Sequence, residues 1–245
     1  MRISTILEEC AVKRTKYLPL TALLPGALCL CLRSLLYRTA VDDTGLLKAG
    51  TVLEGSVYLL TALSLALFAV LAWKNEALPS MPCVAALGQL AGAVGIGWTV
   101  ARYPGEMPGV LGTLWRLSGA VAAVCLVWTA ICDYQQRKPH FLTRLAPCLF
   151  YLVQMLDNYR GWSGQPQLQS YLFDLLATIA MALLAYYRTA ADVGLDKPRM
   201  RRFTALAAGF LCLSAALTAK TRPQYLLCVL WALTSLYSPK PEKAE

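Results

Sequence analysis

GSVYLLTALSLALFAVLAW at positions 55–73 and ALPSMPCVAALGQLAGAVGIGWTVA at positions 77–101 each run without a single charged side chain. The first holds 19 residues and the second 25, and only Lys74, Asn75 and Glu76 separate them. A helix needs roughly 20 mostly apolar residues to cross about 30 Å of hydrocarbon. Both stretches meet that length, back to back. Lipid is therefore the solvent this part of the chain is written for.

The same signal recurs on either side. Hydrophobic residues make up 57% of the 245 and charged residues only 15%, against about 25% charged in soluble domains. Apolar runs predict spans at 17–36, 52–73, 82–101, 110–132, 141–156, 168–187, 203–219 and 223–237. The fifth has only 12 charge-free residues between Arg144 and Asp157, and Pro147 is expected to kink it. The last two are short. They read either as a tight hairpin turning at 219–222 or as a re-entrant pair. The expected fold is an all-α integral membrane bundle of about eight transmembrane helices, a single polytopic domain over 1–245. The longest polar connections, 38–51 and 188–202, are far below the roughly 40 residues a separate core requires, so no soluble domain is expected. The run after Arg2, Lys13, Arg14 and Lys16 is closed by Arg33 without an A-x-A cleavage pattern, and reads as a retained first span.

Charge sets the expected orientation. The formal net charge is +9, and no nucleic-acid motif accompanies it. The cations scatter among the spans, so cytoplasmic loop charge is the simpler cause. With the N-terminus inside, Arg2, Lys13, Arg14, Lys16, Lys74, Arg137, Lys138, Arg188, Lys197, Arg199, Arg201, Arg202, Lys240 and Lys243 are cytoplasmic. Arg38, Lys48, Arg102, Arg160, Lys220 and Arg222 are external. That bias places both termini in the cytoplasm of a plasma-membrane protein. Aromatic residues follow: Tyr17, Trp73, Trp128, Tyr134, Tyr186 and Tyr187 fall at inner ends. Tyr58, Trp98, Tyr103, Trp115, Tyr159, Trp162 and Tyr171 fall at outer ends, as an interfacial belt would. The nine cysteines fall mostly in apolar runs and read as free thiols used for packing.

Ionisable residues inside spans are costly, about 2.5–3.5 kcal/mol at mid-membrane on insertion scales, and usually face the bundle interior. Arg33, Glu54, Arg116, Asp157 and Asp174 all fall in the predicted outer half. Arg116 and Asp174 each lie six residues into a span, about 9 Å deep, and could pair. Glu54 and Tyr58 share one helical face with Thr61; Tyr171 and Asp174 share another with Thr178; Asp157 shares a third with Gln154 and Asn158. Converging, these faces would form a polar cup open to the outside, with Asp174 its chief residue. Gly88, Gly92 and Gly95 form a smooth stripe suited to close helix packing, expected to meet Gly112, Gly119, Ala120 and Ala123 of the next span.

No catalytic, cofactor or metal set is evident. The single histidine, His140, sits in a connection, and HExxH, Gly-x-Ser-x-Gly and the phosphate-loop pattern are absent. The stretches YRGWSGQP (159–166), YLFDLLA (171–177) and LAYYR (184–188) resemble a segment of small uncharacterised multi-span proteins of Gram-positive Clostridia-type bacteria, over about a fifth of the chain. The resemblance implies a plasma-membrane protein and transfers no site residue. The expected function is non-enzymatic: transport-related or small-polar-solute binding through the outer cup. The alternative is a sensor or scaffold subunit whose basic loops, 199–202 foremost, dock a cytoplasmic protein partner or anionic lipid. The lipid bilayer is the one partner common to both readings.

Overall fold

The computed structural model describes residues 17–39, 50–74, 80–103, 109–162, 168–217 and 222–237. The basic stretch 1–16, residues 218–221 of the turn expected at 219–222, and the tail 238–245 lie outside the described residues. Every regular element among the described residues is a helix. In chain order these are α1 Leu18–Thr39, α2 Val52–Lys74, α3 Pro82–Arg102, α4 Val110–Tyr134, α5 Phe141–Trp162, α6 Leu168–Asp192, α7 Pro198–Ala215 and α8 Arg222–Thr234. Among the described residues, five helical stretches are long and apolar enough to cross a membrane: α1, α2, α3, α4 and Tyr171–Asp192 of α6.

Helix ends follow local chemistry. Pro82 and Pro198 open α3 and α7, where a missing N–H costs nothing. Gly194, at φ +86°, closes α6. The Leu195 N–H reaches back to the Ala190 carbonyl at 2.9 Å, the six-to-one bond of a Schellman end. Gln136 does the same after α4 at φ 55°, with the Arg137 N–H bonded to the Cys132 carbonyl at 2.8 Å. These turns keep the α4–α5 and α6–α7 connections short.

Helices α3 to α8 close a ring in which each packs on the next and α8 returns to α3. Helices α1 and α2 pack on each other and on α7. Helix α7 is thus surrounded by α1, α2, α6 and α8, and residues 204–212 are all buried. Its small residues, Ala205, Ala207, Ala208 and Gly209, let four neighbours approach. It falls short as an apolar span because Arg199, Arg201 and Arg202 stand in its first two turns and only 203–215 is free of charge, yet it lies deepest in the fold.

The glycine stripe of α3 faces α8, not α4 as expected. A Cβ at Gly92 would lie 2.9 Å from the Trp231 ring, and one at Gly95 3.1 Å from Leu227 Cβ. Helix α4 still packs on α3, with Gly119 seated against Val100 and Phe150. Trp115, expected in the belt, is buried instead beside Phe150 at 6.1 Å. The outward faces carry rows of large apolar residues: Leu20, Leu24 and Leu28 on α1, Leu59, Leu63 and Leu67 on α2, and Leu117, Val121 and Val124 on α4. Apolar surface of that extent marks contact with hydrocarbon. Tyr17, Trp73, Tyr134 and Tyr186 are exposed at one end of the bundle, and Trp98 and Tyr159 at the other.

Candidate functional site

Two polar layers cross the bundle, one toward the Thr39 end of α1 and one toward its Leu18 end. The first is organised by the opening turn of α8. Gln224 Nε2 donates to Gln154 Oε1 of α5 at 3.1 Å, and both side chains are buried. The Tyr225 hydroxyl lies 3.3 Å from Thr178 Oγ1 and donates at 3.5 Å to the Asp174 carbonyl of α6. Thr178 Oγ1 donates to that same carbonyl at 2.7 Å. Arg33 of α1 reaches across to donate to the Ser214 carbonyl of α7. Its guanidinium stacks 4.2 Å from the Phe173 ring, one residue before Asp174. Arg33, Asp157 and Asp174 are 3%, 1% and 4% exposed, a level at which ionic groups are kept only with partners.

Helix α8 stops short at this level. Its 13 residues span about 20 Å. Gly95, which meets the backbone of Gln224, lies seven residues before the end of α3, about 10 Å in from that end. The opening turn of α8 therefore sits inside the end of α3 and reaches the carboxylate-bearing helices α5 and α6 through the side chains of Gln224 and Tyr225.

The expected cup is only partly assembled. Arg33, Asp157 and Asp174 are drawn inward, and Tyr171 is half-buried on α6. Glu54 and Tyr58 satisfy each other on α2. The Tyr58 hydroxyl donates to Glu54 Oε1 at 3.2 Å, and the Gly50 N–H to Oε2 at 2.9 Å. Tyr58 is 37% exposed. Arg116 corrects the expectation most clearly: it is exposed on α4 and makes no pair with Asp174. The buried face of α4 runs through Gly112, Trp115, Gly119, Ala122 and Leu126, and Arg116 flanks it. A long side chain near a helix end reaches the headgroup layer, which costs less than burial. Helix α5, which packs between α4 and α6, occupies the path such a pair would take. It also runs unbroken past the expected stop at 156 to Trp162, with Pro147 inside it.

The second layer was not anticipated. Asp133, 2% exposed on α4, accepts from Gln89 Nε2 of α3 at 2.5 Å. It also pairs with Arg144 of α5 and, at 3.4 Å, with Arg188 of α6. Arg144 bonds Asp192 as well, and Arg188 donates to Ser235 Oγ, just after α8, at 2.8 Å. Arg201 and Asp196 pair nearby at 3.5 Å. Burial pulls the Arg201 guanidinium below its ordinary value, opposed by Asp196 and Asp192. Two carboxylates and two guanidiniums thus tie α4, α5 and α6 at one end, and Gln89 and Ser235 join α3 and the end of α8 to them. Sequence reading counted Arg188 among loop cations because α6 reads as stopping at 187. The helix instead continues to Asp192, placing Arg188 and Asp192 four apart on one face. Gln89, an amide in the middle of the glycine-rich span, was the available clue.

Among the described residues, no group of three or more His, Cys, Asp or Glu side chains is placed to hold a metal ion. His140 is exposed in the α4–α5 connection, its Nδ1 3.4 Å from the Leu142 N–H. Compared with protein-family models, with curated proteins and with solved structures, the chain matches none.

Proposed function

We propose that this is a non-enzymatic, transport-related plasma-membrane protein whose eight helices take a small polar solute from the outer face toward the opening turn of α8. The observation that carries the reading is that buried Arg33, Asp157 and Asp174 share the Thr39-end layer with the opening turn of α8, which begins about 10 Å in from the end of α3. Short helices ending near mid-membrane, beside ionisable groups, are the usual frame of solute sites in transporters. The side chains gathered there are carboxylates, a guanidinium, amides and hydroxyls, suited to hydrogen-bonding a solute. The Lys and Arg bias favours the Leu18 end as cytoplasmic. On that orientation the Asp133–Arg144–Arg188 layer is the closed inner end of the path.

Asp174→Asn tests this by removing one charge while keeping size. Solute at about 100 times its Kd stabilises by about 2.7 kcal/mol, roughly 5–10 °C for a chain of this length. In a thermal-shift panel of amines, amino acids and sugars, the wild type should gain this with at least one compound and the variant should not. If the variant melts lower by the same amount in every condition, Asp174 is structural and the solute reading fails.

A further inference from the structure

At the Leu18 end, on the face turned away from the ring, the last turn of α2 and the first turn of α7 enclose a groove of about 580 Å³. Its wall is apolar: Ala69, Ala72, Met200 and Phe203. Its rim is cationic and aromatic. The Arg199 guanidinium lies 4.8 Å from the Trp73 ring, and Lys197 stands beside it, both cations exposed. Asp196 also lines the groove, but its charge is answered by Arg201 at 3.5 Å. The rim therefore carries net positive charge. Lys197 is also the N-cap of α7, and no side chain caps the first N–H groups of that helix. Those donors and the helix dipole favour an anion at the same point.

We infer that this groove binds an anionic phospholipid of the adjoining leaflet. The headgroup phosphate meets Lys197, Arg199 and the α7 N-terminus, and an acyl chain lies along Ala69, Ala72 and Phe203. Charge complementarity selects this occupant. A neutral lipid would leave two cations and an uncapped helix end unmatched, and a soluble peptide would have to lie against a wall at hydrocarbon depth. Trp73, 68% exposed, sits where headgroup-level aromatic rings belong. The inference needs only that the chain is embedded in a bilayer. It does not depend on solute binding at α8.

The test uses the full chain reconstituted in phosphatidylcholine vesicles with increasing brominated phosphatidylglycerol, which quenches nearby tryptophan. Quenching lost in Trp73→Phe isolates the groove. Each cation near an anionic surface contributes about 1 kcal/mol, so Lys197→Ala with Arg199→Ala should weaken the preference for phosphatidylglycerol about 30-fold. Arg137→Ala with Lys138→Ala, exposed cations at the same end but outside the groove, should weaken it far less. The inference is overturned if the groove variant keeps its preference, or if brominated phosphatidylcholine quenches Trp73 equally well. It also fails if the groove substitutions abolish a dimer or a bound soluble protein while lipid preference stays the same.

Discussion

Asp133→Ala should lower stability by about 3–5 kcal/mol, the cost of stranding buried charge, or roughly 10 °C in melting temperature for a chain of this length. The reason lies in what remains. Arg144 and Arg188 are each 8% exposed, and both turn a guanidinium toward Asp133. Without it, Arg144 keeps Asp192 and Arg188 keeps only the neutral Ser235 hydroxyl. Counting lost hydrogen bonds gives a smaller figure, since interhelical bonds in bilayers average about 0.6 kcal/mol. Gln89→Ala, which removes one such bond, should therefore cost well under half as much. Adding Arg188→Met to Asp133→Ala should recover more than 1 kcal/mol by removing a stranded cation. Unfolding of the purified variants in one detergent measures all three. Equal losses in Asp133→Ala and Gln89→Ala would mean that charge pairing does not hold this layer.

Gly88→Ala should destabilise by about 1–3 kcal/mol, although alanine is ordinarily the better helix former by up to about 1 kcal/mol. A Cβ at Gly88 would stand 1.6 Å from Thr234 Oγ1 and 2.6 Å from Thr234 Cβ. Rotating the hydroxyl relieves the first contact. The second is fixed to the α8 backbone, so α3 and α8 must separate. That movement also draws Ser235 away from Arg188 and Gln224 from Gln154, loosening both polar layers. Gly55 on α2 has open space where its Cβ would be, and Gly55→Ala should be neutral or slightly stabilising. Thermal unfolding of the two alanine variants side by side separates packing from propensity. If they melt together, the α3–α8 contact is not as close as described.

How far the sequence could be read divides along physical lines. Charge-free runs of about 20 residues follow from bilayer thickness alone, so the ends of α1 to α4 were legible to within three residues. Helix α6 was legible as a span, but its last turn was not. Arg188 and Asp192 look like loop charges until tertiary partners bury them. Helix α7 gave a short signal because Arg199, Arg201 and Arg202 occupy its first two turns and leave only 203–215 free of charge. The inward turn of Arg33, Asp157 and Asp174 could be foreseen from the expense of charge in hydrocarbon. The outward turn of Arg116 could not. Near a helix end a long side chain has two affordable directions, and only the neighbours of α4 decide between them. The partner of the glycine stripe depended on which helix lies opposite, a question of topology that spacing does not encode.

A solute path ending at the opening turn of α8 requires water to reach it from one side of the membrane only, past the buried Gln224–Gln154 pair. Single cysteines at position 224 or 235, in a chain with all nine native cysteines replaced, can be treated with a membrane-impermeant thiol reagent on either face of sealed vesicles. Gln224→Cys is expected to react from the external face, and Ser235→Cys is expected to stay unreactive from that face. A Gln224→Cys chain that reacts only from the cytoplasmic face, or from neither, would contradict it.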